Sequence, residues 1–164
     1  MPAREMQTVA VIGAGLMGHG IAQGFAQGGL DVRLQDLTEE RVERGLAAIR
    51  ANLDLFVEND LVDRAEAERA MRRIRGTTSL ADAVAGADFL VEAVFEDLEL
   101  KQEVLGQCER FCPRQAVLAS NTSGLSVNRL AERAAHPERV VVAHFWNPPH
   151  LMSLVEVVPG DRTS

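Results

Sequence analysis

The sequence lacks long apolar runs and has little positive charge. No stretch reaches the roughly 18 consecutive apolar residues that indicate a membrane-spanning helix. The formal net charge is −7 and no basic stretch offsets it, which argues against a nucleic-acid-binding surface. The first residues, MPAREMQ, have no apolar segment of the kind found in a signal peptide. We therefore expect a soluble, cytoplasmic protein that binds neither membranes nor nucleic acid.

Cysteine is also scarce. The two cysteines, Cys108 and Cys112, lie on one predicted helix at a spacing that suits neither a disulfide framework nor a zinc site. We expect both to be reduced packing residues, and we expect no metal site. The length of 164 residues suits one well-buried domain and is too short for two of ordinary size.

The N-terminal part predicts a strand, a tight turn, a helix and a second strand. TVAVIG is an apolar run of strand length that ends in glycine, and AGLMGHGIAQGFAQGG has apolar residues at helical spacing. Gly28 and Gly29 are expected to end this helix. DVRLQD then alternates apolar and polar residues, which predicts a strand that closes on Asp36.

The next segment predicts two helices. Thr38 suits the N-cap of a long helix that reaches about Glu58, and Asp63 with Glu66 resembles a capping box that begins a second helix. The apolar residues of that second helix are expected to be Ala67, Ala70, Met71 and Ile74. We predict an inserted helical hairpin over residues 38–74, a connection much longer than loops of α/β units, and such insertions often bind a ligand.

The rest of the chain alternates short strands and helices. DFLVEAV, AVLAS, VVVAH and LVEVV are predicted strands, and ADAVAGA, LELKQEVLGQCERF and SVNRLAERA are predicted helices. Alternation of this kind predicts a mainly parallel sheet with helices on both faces. The expected fold is therefore α/β and Rossmann-type.

A glycine pattern lies between the first strand and the first helix. Gly13, Gly15 and Gly18 form G-x-G-x-x-G, in which the glycines allow the turn, the approach of a pyrophosphate and close helix packing. Glycines needed only for a tight turn would not explain Asp36, whose carboxylate can bind both ribose hydroxyls and repels a 2′-phosphate. The pattern predicts NAD as the cofactor in preference to NADP, and the chain is short for an FAD enzyme.

Polar residues follow several predicted strands. Glu96 follows one strand, Asn121 and Ser123 follow the next, and His144 ends a third. Each has an ordinary explanation, such as a helix cap or a histidine at the rim, but carboxyl ends of parallel strands meet at one edge, where ligands bind. We interpret His144 as a general base and Glu156, which we expect to be buried in LVEVV, as the group that orients it.

GAGLMGHGIA, DFLVEAVFEDLELK, SNTSGLSV and HFWNPPHLMSLVEVV resemble, in order and spacing, the NAD-binding domain of the L-3-hydroxyacyl-CoA dehydrogenases. The resemblance covers nearly the whole chain. It implies that His144 is the catalytic base, that Glu156 pairs with it, and that Ser123 and Asn147 contact the substrate. The implied cofactor contacts are Gly13, Gly15, Leu16, Met17, Gly18, Asp36, Glu96, Lys101 and Asn121. The hairpin would be the element that binds acyl-CoA.

The resemblance implies NAD-dependent oxidation of a (3S)-3-hydroxyacyl-CoA to the 3-oxoacyl-CoA, with residues 1–164 as the NAD-binding domain. Two departures bear on this hypothesis. The hairpin stretch VENDLVDRAE carries Arg64 as its only basic residue, where the family carries lysine near the CoA phosphates. The family also has a C-terminal helical domain that forms a homodimer, and we expect that domain beyond Ser164. The alternatives are a dehydrogenase of a free hydroxy compound, such as carnitine or a sugar acid, and a non-catalytic nucleotide-binding module.

Overall fold

Seven strands pair in one sheet in the computed structural model, which describes residues 6–164. They are β1 (Thr8–Ile12), β2 (Asp31–Gln35), β3 (Ile74–Thr77), β4 (Phe89–Glu92), β5 (Val117–Ser120), β6 (Val140–Phe145) and β7 (Val155–Pro159). Their order in the sheet is β3-β2-β1-β4-β5-β6-β7, and β7 alone runs antiparallel to its neighbour. The chain changes direction across the sheet between β1 and β4, which is where doubly wound sheets bind ligands.

Helices cover both faces of this sheet. They are α1 (Leu16–Gln27), α2 (Glu39–Glu58), α3 (Arg64–Arg72), α4 (Leu80–Val84), α5 (Leu98–Glu109) and α6 (Val127–Leu130). Alternate strand residues face opposite sides: Val9 and Val11 pack in one apolar core with α1 to α3, and Ala10 and Ile12 pack in the other with α4 to α6. The predicted Rossmann-type fold is confirmed. Among residues 6–164, no helix has the length and hydrophobicity to cross a membrane.

The predicted hairpin is α2 followed by α3. The Thr38 side chain accepts from Arg41 N at the start of α2, and Asp63 with Glu66 forms the predicted capping box of α3. Gly45 of α2 lies so close to the turn before α1 that an added Cβ would be 2.9 Å from the Ala14 side chain. Both helices of the hairpin also pack against α1 as part of the cover of the sheet.

Two details of the predicted elements are wrong. Ile74 is the first residue of β3 rather than part of α3, because Val32 of β2 offers it a parallel partner that helical spacing cannot reveal. SVNRLAERA forms only the short α6 and a 3-10 turn at Ala131–Arg133. The prediction for the cysteines is confirmed, since Cys108 and Cys112 are both free and Cys108 is buried.

Candidate active site

The glycine turn joins β1 to α1. Gly13 has φ of +100°, a conformation that favours glycine, and its N–H donates to Gln35 O at 2.8 Å. A Cβ on Gly18 would lie 1.7 Å from Gly13 O, whereas a Cβ on Gly15 would meet no atom within 4 Å. The space above Gly15, at the N-terminus of α1, therefore suits a pyrophosphate, which helix N–H groups bind well.

Asp36 follows β2 beside this turn. Its Oδ2 accepts from Ala14 N at 2.9 Å and its Oδ1 accepts from Leu37 N at 2.7 Å, so backbone donors fix the carboxylate at the sheet edge. Three large apolar side chains near this edge are exposed: Leu16, Leu37 and Phe95. A fixed carboxylate with open apolar surface around it suits a ribose and flat aromatic rings. The residues present therefore fit NAD.

A buried ion pair lies beneath the loop after β4. Lys101, the only lysine in the sequence, contacts Glu92 with 2.8 Å between Nζ and Oε1, and both side chains are fully buried. Glu92 also accepts from Ser120 Oγ at 2.6 Å and from Val94 N at 2.7 Å. Burial raises the pKa of the Glu92 carboxyl, while the Lys101 ammonium opposes that shift. The sequence did not indicate a role for Glu92, because a carboxylate within an apolar strand does not show which residue it pairs with.

Lys101 is predicted to contact the cofactor, but the structure buries its side chain completely. Its Nζ donates to Val94 O and to Asn121 O, each at 3.3 Å, and lies 3.5 Å from Glu96 Oε2. Because its side chain is fully buried, Lys101 can hold the loop that carries Glu96 but offers no surface to a ligand. Any effect of Lys101 on NAD would therefore pass through Glu96 and the backbone of Asn121.

The loops after β4, β5 and β6 are tied together by side chains at the same edge. Thr122 Oγ1 donates to the half-exposed Glu96 carboxylate and accepts from Leu125 N. Asn121 Oδ1 accepts from Phe145 N at 3.0 Å, so this amide joins the ends of β5 and β6. The predicted residues Glu96 and Asn121 therefore lie at the expected edge, and Asn121 is already engaged by the fold.

Ser123, His144 and Glu156 form a hydrogen-bonded series. His144 Nε2 is 3.0 Å from Ser123 Oγ, and His144 Nδ1 is 2.8 Å from Glu156 Oε2. The antiparallel register sets His144 directly opposite Glu156 on β6 and β7. Because a carboxylate can only accept, Nδ1 carries the proton and Nε2 is left as the basic nitrogen. The predicted trio is thus brought together by the sheet itself.

Glu156 is exposed, and the expectation that it is buried was wrong. It lies on the edge strand β7, and its side chain is 52% accessible. Hydrogen bonds from His144 and then from Trp146 lower the pKa of its carboxyl, so Glu156 is ionised at neutral pH. Trp146 Nε1 donates to Glu156 Oε2 at 3.2 Å, a role that the sequence did not reveal. A tryptophan soon after the histidine was the only signal available.

A cleft of about 420 Å³ lies against the series and is lined by Ser123, His144 and Glu156 together with Asn128 and Asp161. Asn147 is exposed just after β6 and is joined to Pro148 by a cis peptide bond. Met17 is half-buried in the first turn of α1. The substrate contact of Asn147 and the cofactor contact of Met17 stay predictions.

Known proteins are similar to this chain in sequence and fold. The family model for the 3-hydroxyacyl-CoA dehydrogenase NAD-binding domain matches residues 8–164. Fatty acid oxidation complex subunit alpha of Pseudomonas putida is 41% identical over 162 residues, which are 99% of this chain and 22% of that protein. The crystal structure of 3-hydroxybutyryl-CoA dehydrogenase from Escherichia coli K12 has 40% identity and a TM-score of 0.94, with 98% of this chain and 34% of that chain covered.

A further solved structure is similar and has a different kind of substrate in its name. It is 5-formyl-3-hydroxy-2-methylpyridine 4-carboxylic acid 5-dehydrogenase, an NAD⁺-dependent dismutase, with 30% identity, a TM-score of 0.86, and coverage of 98% of this chain and 51% of that chain. The chain thus spans between about a fifth and a half of these proteins. On its matched residues and its fold, the chain belongs to the 3-hydroxyacyl-CoA dehydrogenase family as an NAD-binding domain.

Proposed function

We propose that this protein oxidises a (3S)-3-hydroxyacyl-CoA to the 3-oxoacyl-CoA with NAD as the hydride acceptor. The observation that carries the proposal is the series Ser123–His144–Glu156 at the carboxyl edge of the NAD-binding sheet. A histidine held by a carboxylate on one nitrogen, with the other nitrogen facing a serine hydroxyl and the cleft, is suited to removing a hydroxyl proton. The family membership supports the same reaction.

The residues divide the chemistry between them. Glu156 accepts a hydrogen bond from the Nδ1–H of His144, so Nε2 presents its lone pair toward Ser123 and the cleft. His144 would take the substrate hydroxyl proton at Nε2 while hydride leaves C3, and NAD supplies the acceptor for that hydride. Glu156 then stabilises the imidazolium, and Ser123 holds the substrate oxygen through its hydroxyl.

The hairpin supports CoA as the carrier of the acyl group less strongly than the site supports the redox reaction. Arg64, the only basic residue in its predicted phosphate-binding stretch, is already engaged by Asp54, and Arg50 pairs with Glu68 at 2.7 Å. A free hydroxy compound is therefore the second candidate substrate, and the similarity to a pyridine-carboxylic-acid dehydrogenase favours it. Under either candidate His144 keeps the same role.

The test compares turnover of 3-hydroxybutyryl-CoA with turnover of free 3-hydroxybutyrate in the full-length protein. We expect the thioester to be preferred and His144→Ala to lose on the order of 100-fold or more in kcat, since positioned acid–base groups contribute at least that much. His136→Ala is the matched control, because His136 also pairs with a glutamate, Glu138, at 3.2 Å but lies outside the cleft. Preference for the free acid would favour the second candidate. Unchanged turnover in His144→Ala would refute His144 as the base, and no turnover of either substrate by the unmodified protein would favour a non-catalytic module.

An exposed apolar surface supports a further helical segment in the full-length protein. Four large apolar side chains on β7 and the loop before it are more than two-fifths exposed: Trp146, Leu151, Leu154 and Val157. A helical domain covering these residues would close the cleft and pair two copies as a homodimer. Analytical ultracentrifugation of the full-length protein checks the dimer, and a monomer would contradict it. A cytoplasmic location stays a prediction.

A further inference from the structure

Arg41 lies beside the carboxylate that marks the ribose end of the NAD site. It is in the first turn of α2, where its N–H bonds to the Thr38 cap at 3.3 Å. Its Nη1 is 3.5 Å from Asp36 Oδ1, and its side chain is 49% accessible. Within residues 6–164, Arg41 makes no other ion pair or side-chain hydrogen bond.

Asp36 does not depend on this arginine for its position. Two backbone N–H groups, those of Ala14 and Leu37, fix both carboxylate oxygens at 2.9 and 2.7 Å, and the side chain is only 13% accessible. Half-exposed ion pairs contribute little to stability, because solvent screens them and long side chains lose entropy. The pair therefore contributes little to stability, and Arg41 is the more exposed partner.

A guanidinium at this position has a chemical consequence for cofactor choice. A carboxylate at the end of the second strand binds the ribose hydroxyls of NAD, whereas a nearby arginine is the group that accommodates the 2′-phosphate of NADP. This chain carries both groups within 3.5 Å of each other. The anion of Asp36 repels a phosphate and engages the cation that would otherwise receive it.

We propose that Arg41 is a specificity-determining residue whose charge is neutralised by Asp36. In the natural sequence the pair selects NAD. With the Asp36 charge removed, Arg41 turns the same ribose site into one that accepts a phosphorylated ribose. The proposal concerns cofactor binding alone, so it does not depend on which hydroxy compound is oxidised.

The experiment measures NADH and NADPH affinity by fluorescence titration in six forms of the chain. These are the unmodified chain, Asp36→Asn, Arg41→Ala, Arg44→Ala, and Asp36→Asn combined with each arginine change. Asparagine keeps the size of the side chain and one carbonyl oxygen, which can accept from one of the two backbone donors. Arg44 is the matched control, because it lies on the same helix but pairs with Glu40 at 2.6 Å. Thermal melts check that each form is folded.

We expect Asp36→Asn to tighten NADPH binding by about ten- to a hundredfold, the value of one charge-assisted hydrogen bond. Adding Arg41→Ala should abolish that gain, and adding Arg44→Ala should preserve it. The gain should also shrink at high salt. The proposal is overturned if a folded Asp36→Asn gains no NADPH affinity, or if the gain survives Arg41→Ala. Equal loss of the gain with either arginine would also overturn it, because the effect would then be nonspecific charge.

Discussion

Replacing Lys101 by methionine should destabilise the fold by about 3–5 kcal/mol, the cost of leaving one charge of a buried ion pair without its partner. Glu92 would keep its hydrogen bonds to Ser120 and Val94 but lose the contact with Nζ at 2.8 Å, in a site where both charges are fully inaccessible. Because a domain of this size is stable by about 5–15 kcal/mol in total, the loss is large. The expected fall in Tm is roughly 6–20 °C.

The double variant distinguishes this reasoning from simple loss of packing. Glu92→Gln with Lys101→Met leaves no buried charge, and glutamine can still bond the same neighbours, so the double variant should be more stable than Lys101→Met alone. Urea unfolding at neutral pH measures the free energy of unfolding of the unmodified chain, of Glu92→Gln, of Lys101→Met and of the double variant. A loss below about 1 kcal/mol for Lys101→Met, or additive losses in the double variant, would refute the argument.

The pH dependence supplies a second check on the same pair. Burial already raises the pKa of Glu92, and removing Lys101 removes the main effect that opposes this rise. A carboxyl with a raised pKa in the folded state costs stability as pH rises from its unfolded value of 4.5 through the folded value. The deficit of Lys101→Met should therefore be smaller at pH 5 than at pH 8. Amine-reactive labelling of Lys101, the only lysine, should be faster in Glu92→Gln.

The remaining predictions concern the site. Glu156→Gln should lower turnover far more than NAD affinity, as steady-state kinetics and cofactor titration can show; equal losses would contradict the orienting role. The hydrogen bond from His144 lowers the pKa of the Glu156 carboxyl in the folded state. The stability that this hydrogen bond contributes is therefore complete above the ordinary carboxyl pKa of 4.5, and it is lost as pH falls through the lower pKa of the folded state. NMR titration of the carboxyl should therefore place its midpoint below 4.5. Gly15→Ala should weaken NAD binding and leave Tm almost unchanged, because its Cβ would meet no protein atom within 4 Å. Gly18→Ala should lower Tm, because its Cβ would lie 1.7 Å from the carbonyl oxygen of Gly13. The 164 residues alone should bind NAD but turn over 3-hydroxyacyl-CoA slowly, since misplacement of about 1 Å can cost on the order of 100-fold; family-like rates from this chain would disprove that.

The sequence by itself determined the local structure and the edge at which the site lies. The Thr38 cap and the capping box at Asp63 fixed the starts of two helices, because caps act within one turn of the chain. The glycine turn and Asp36 likewise predicted where the cofactor binds, since their spacing expresses one strand, one turn and one helix. Polar residues after successive parallel strands had to meet at one edge.

The tertiary structure alone decided which side chains meet and which are buried. Lys101 and Glu92 read as ordinary charged residues, and only the packing of α5 against β4 and β5 buries them as a pair. Glu156 lies in an apolar run that predicts burial, but β7 pairs at the edge of the sheet and leaves it exposed. Local patterns report on neighbours within about four residues, which is the reach of helical and strand periodicity. Strand order and helix docking join residues farther apart, and those contacts arise only when the chain folds.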